Sequence, residues 1–60
     1  MQSEAKDRFI KTIVAHSARA TENFDALMTL ADRLVKAEEV GYKLDPSSVE
    51  KAVKNIMGVD

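Results

Sequence analysis

Residues 16–23, His16-Ser17-Ala18-Arg19-Ala20-Thr21-Glu22-Asn23, decide the fold. They hold no large apolar side chain, yet they contain neither Gly nor Pro. Two readings compete. In the first, one helix runs through them from about residue 3 to residue 40, roughly 55 Å long at 1.5 Å per residue. In the second, the chain turns near Thr21–Asn23, and Thr21 or Asn23 caps a new helix.

The flanking sequence favours continuity. Ile10, Ile13, Ser17, Ala20, Phe24, Leu27, Ala31 and Leu34 follow one another at alternating steps of three and four. That is a heptad seam held in one register across the uncertain stretch. From Ser3 to Val40 there is no helix breaker, and the composition is rich in Ala, Glu, Lys, Arg, Leu and Met, all good helix formers. Acid-before-base pairs four residues apart occur at Glu4/Arg8, Asp7/Lys11 and Asp32/Lys36, each worth roughly 0.2–0.5 kcal/mol to a helix. Ser3 is a suitable N-cap with acids in the turn that follows.

The next boundary is explicit. Gly41 suits the left-handed position just past a helix end. Asp45 then supplies a cap and Pro46 a first helical residue, with Leu44 and Val49 placed as a hydrophobic staple. The spacing predicts a second helix over about 46–57, with Gly58 as its stop. Its apolar face is Val49, Ala52, Val53, Ile56 and Met57. The short link folds it back antiparallel on the end of the long helix. The expected junction core is Leu30, Leu34, Val35, Leu44, Val49, Val53 and Ile56, with Val40 beside it.

The fold class is therefore all-α: a helical hairpin in a single domain spanning residues 1–60. No internal repeat or strand pattern is present. A return helix of twelve residues covers only about three turns of a long one. Phe9, Ile10, Ile13, Val14 and Phe24 would then stay in water, forgoing about 1.5–3 kcal/mol for each large side chain. The expectation is a homodimer or tetramer, a helical bundle closed by further copies. Its interface comprises Phe9, Ile10, Ile13, Val14, Ser17, Ala20, Phe24 and Leu27, with Ser17 and Ala20 as the point of closest approach. A break at Thr21–Asn23 changes this, because the seam then folds onto itself and the obligatory partner disappears.

Composition narrows the function classes. The chain has 60 residues, no Cys and a single His, which removes disulfides and the usual structural zinc sites. No cofactor is expected. The segment from Met1 to Thr12 carries Glu4, Lys6, Asp7, Arg8 and Lys11, unlike a secretory leader, and no run of apolar residues is long enough to span a bilayer. A cytoplasmic location is the expectation. The formal net charge is −1, without the strongly basic footprint of a nucleic-acid binder.

Single residues carry little chemistry. His16 lacks an evident orienting carboxylate or nucleophile, so a structural or interface role is expected. Glu38 and Glu39 point about 100° apart on a helix and form no catalytic pair. Ser47, Ser48, Lys51, Lys54 and Asn55 read as the solvent face of the second helix, and Tyr42 as a turn residue over the helix junction. Arg8, Lys11 and Arg19 form a sparse basic strip, the candidate contact for nucleic acid. The expected function is a small non-enzymatic protein that self-associates and binds another protein as a regulator or adaptor. The alternative is a dimeric helical regulator that binds DNA or RNA.

Overall fold

The structure, a computed structural model, describes residues 3–60. It is all-helical, with no strand among the described residues. Four helices follow in order: α1 Glu4–Ala15, α2 Ser17–Glu22, α3 Phe24–Glu39 and α4 Pro46–Met57. The last of these has the expected bounds. The single long helix does not form. It is broken twice, at His16 and at Asn23, and only the second break lies at an expected place. The greatest extent of the molecule is 31 Å, far less than a continuous helix over 3–40 requires.

The two breaks differ from ordinary helix ends. His16 has φ −130° and ψ 49°, and Asn23 has φ −120° and ψ 31°. Both lie at negative φ, open to any residue, and neither side chain caps the helix that follows. Local chemistry contributes at the second break. The Asn23 side-chain amide donates to the Arg19 carbonyl oxygen, and the Thr21 hydroxyl to that of Ser17. Such back-bonding to the preceding turn bends helices. At His16 no comparable side-chain bond forms. What the bends achieve is burial: Ala5, Ala20, Leu27, Leu34, Val49, Val53 and Met57 close into one core.

The α3–α4 connection follows its sequence signals closely. Gly41 adopts φ 83°. The Tyr42 amide donates to the Ala37 carbonyl and the Gly41 amide to that of Glu38, the paired bonds of a Schellman motif. The Asp45 carboxylate accepts from the Ser48 backbone amide with Pro46 behind it. Gly58, at φ 70°, ends α4 with the same pair of bonds, from Val59 to Lys54 and from Gly58 to Asn55. Ser3 caps α1 by accepting from the Lys6 amide.

The expected neighbour of α4 was the C-terminal part of the long helix. Its main neighbour is instead α1. The bends return α1 to α4, where Ala5 and Thr12 are buried. These small side chains lie seven residues apart on the helix face that also carries Arg8. Thr12 stays satisfied because its hydroxyl donates to the Arg8 carbonyl. Arg8 does not pair with Glu4. Its guanidinium reaches Glu50 on α4 at 2.7 Å, and Glu50 also binds Lys54 at 3.0 Å. The Lys54 hydrogen bond, followed by that from Arg8, holds the Glu50 carboxyl below the ordinary glutamate value. At the far end Lys6 meets Glu38 at 3.5 Å, tying the start of α1 to the end of α3.

The expected junction is corrected at two positions, Val35 and Val40. Leu34, Val49 and Val53 are buried, and Leu30, Leu44 and Ile56 pack half-buried against them. Val35 is 43 % exposed and Val40 82 %. Val35 follows Leu34 by about 100° around the helix, which turns it onto the outer face with Phe24 and Met28. Tyr42 likewise stays exposed in the turn.

Candidate functional site

The bends leave an open apolar cleft of about 400 Å³ at one end of the molecule. One wall is α1, through Phe9, Ile13 and Val14. The recess between is α2, through Ser17, Ala20 and Thr21. The facing wall is α3, through Phe24, Leu27 and Met28. Its position follows from the sequence. The heptad seam places Ile13, Ser17, Ala20, Phe24 and Leu27 on one line, and bending at His16 and Asn23 curls that line into a concave surface. Small residues occupy the recess and large ones the rim.

Every residue of the expected interface except Ile10 lines this cleft. They do not all remain free, however. Ala20 and Leu27 are buried within the single chain, and Phe9 and Ile13 pack half-buried against the core. Four large side chains stay in water at or beside the cleft: Ile10 at 55 %, Val14 at 69 %, Phe24 at 60 % and Met28 at 52 %. Ile10 and Val14 are one turn apart on α1, as are Phe24 and Met28 on α3. The chain thus closes the inner half of its seam and leaves the outer half uncovered. Met28 and Val35 extend that face along α3 and were not part of the expected interface. They fall one step off the heptad line, and the signal for them was the excess width of the apolar face.

The cations of the basic strip stay exposed but each stands beside a carboxylate. Arg8 binds Glu50, Lys11 lies 3.6 Å from Asp7, and Arg19 lies 3.8 Å from Glu22. Each cation is matched by a carboxylate of the same chain, which weakens its field at a phosphate. His16 sits half-buried at the first break. Glu38 is taken by Lys6 and Glu39 is exposed, so the two do not act together.

Sequence reasoning missed the small-residue stripe of Ala5 and Thr12, which sets the α1–α4 contact. Neither residue registers in an apolar pattern. Their spacing of seven, with Arg8 between them facing Glu50, was the available signal. Among the described residues no group of three His, Cys, Asp or Glu side chains is placed to hold a metal ion, and no helix is long and apolar enough to cross a membrane. No family model matches the chain, and comparisons with curated proteins and with solved structures give no match.

Proposed function

We propose that this chain is a non-enzymatic helical interaction module, a regulator or adaptor that self-associates through its α1–α3 face and binds another protein. The observation that supports this reading most is the uncovered half of the seam. Val14, Phe24 and Met28 are exposed around a recess lined by Ser17 and Ala20, and Ile10 is exposed one turn before Val14 on α1. Contiguous exposed apolar patches of this kind normally mark interfaces.

The test is the solution mass of the wild type beside two sets of variants. Phe24→Asp and Val14→Asp change exposed positions, so the protomer stays folded while association is lost. Charge reversal at Lys11 and Arg19 together, which leaves the Arg8–Glu50 pair in place, leaves association intact. A wild type that sediments as a well-folded monomer at low micromolar concentration contradicts self-association. Nucleic-acid affinity that falls steeply with salt and is abolished by the charge reversal contradicts the protein-binding reading.

A further inference from the structure

Ser3 to Val40 contains no Gly and no Pro, and its heptad seam keeps one register from Ile10 to Leu34. The protomer nevertheless bends at His16 and at Asn23. Both bends are uncapped by side chains and sit at ordinary negative φ. Converting each to helix changes two torsions, φ toward −63° and ψ toward −42°, and breaks no built turn. Beside the back-bonds of Thr21 and Asn23, tertiary contacts hold the bent form shut: α1 packed on α4 with Ala5 and Thr12 buried, Arg8 with Glu50, and Lys6 with Glu38.

We propose that His16 and Asn23 are hinges through which two copies of the chain exchange α1. In the exchanged dimer α1, α2 and α3 form one straight helix, and α1 of each copy docks on α4 of the other. This rests on the self-association proposed above and specifies how it occurs. The second copy is the occupant because the contact it makes already exists. The α1–α4 packing and the Arg8–Glu50 pair pass unchanged from within one chain to between two. Straightening also restores the seam to one line, so that Ile10 and Phe24, which the bent protomer leaves in water, face a neighbouring long helix. Exchange of identical elements between protomers is a low-cost route to a dimer.

The test is a distance within one chain. The protein has no Cys, so Asp7→Cys with Glu39→Cys gives two exposed sites for spin labels. The labelled chain is mixed with an excess of unlabelled chain, refolded from urea over a concentration series and fractionated by mass. In the bent protomer the Lys6–Glu38 contact of 3.5 Å keeps these positions close. On a straight helix they are about 48 Å apart. The expected result is the short distance in the monomer and the long one in the dimer. His16→Ala with Asn23→Ala, which favours helix at both hinges, is expected to raise the dimer association constant about tenfold or more. A dimer showing only the short distance overturns the exchange while self-association stands. Absence of any dimer overturns both.

Discussion

The chain changes direction at two kinds of joint. Between α3 and α4 the turn is written residue by residue. Gly41 takes a left-handed φ of 83°, a Schellman pair of hydrogen bonds closes α3, and Asp45 with Pro46 opens α4. Between α1, α2 and α3 nothing comparable exists. His16 and Asn23 are joints without a glycine, a proline or a side-chain cap, inside a stretch whose seam has the register of one helix. The first joint is a property of local sequence. The second is a property of the fold, since it lasts as long as α1 is better placed on α4 than in line with α3. A helix end held chiefly by packing is open to competition from any other packing of the same helices.

Substitutions sharpen that contrast. The largest effect is expected in the core that the bends close. Met57 is 1 % exposed at the centre of the core, and Met57→Ala should cost about 2–5 kcal/mol in chemical denaturation. The joints themselves should then respond unequally. Gly41→Ala forces a side chain into the left-handed region and should cost about 1–2 kcal/mol. Asn23→Ala and His16→Ala should leave stability nearly unchanged and raise the helical circular dichroism. A comparable loss at all three positions would erase the distinction.

The smallest expected effect is electrostatic. Glu50 links α1 to α4 through Arg8 and Lys54, and its carboxyl titrates below the ordinary glutamate value. A depressed carboxyl stabilises the folded state above its unfolded value, about 4.3, and loses that contribution as pH falls through the folded one. The denaturation midpoint should therefore decline with pH in this acid range. Glu50→Gln should flatten part of the decline. An unchanged profile would mean that the pair does not hold α1 in place.

The same contrast explains what was legible in the sequence. The bounds of α4, the Ser3 and Asp45 caps and the left-handed glycines follow from side chains that act on their own backbone. The fold class and most of the lining of the cleft follow from apolar spacing. The breaks at His16 and Asn23 were less legible, because local propensity favours continuity and the bends are stabilised by residues distant in sequence. Ala5 and Thr12 meet α4 only after the chain has turned, so their importance has no local signature. Val35 was misplaced for a simpler reason: an apolar residue beside a buried one on a helix faces about 100° away from it.

The difference between the joints is tested most directly by backbone chemical shifts followed as protein concentration is raised. If packing chiefly holds the bends and the copies exchange α1, the Cα shifts of His16 and Asn23 should move to helical values as the mass doubles, while those of Gly41 and Asp45 stay fixed. A mass that doubles with the His16 and Asn23 shifts unchanged would contradict the account.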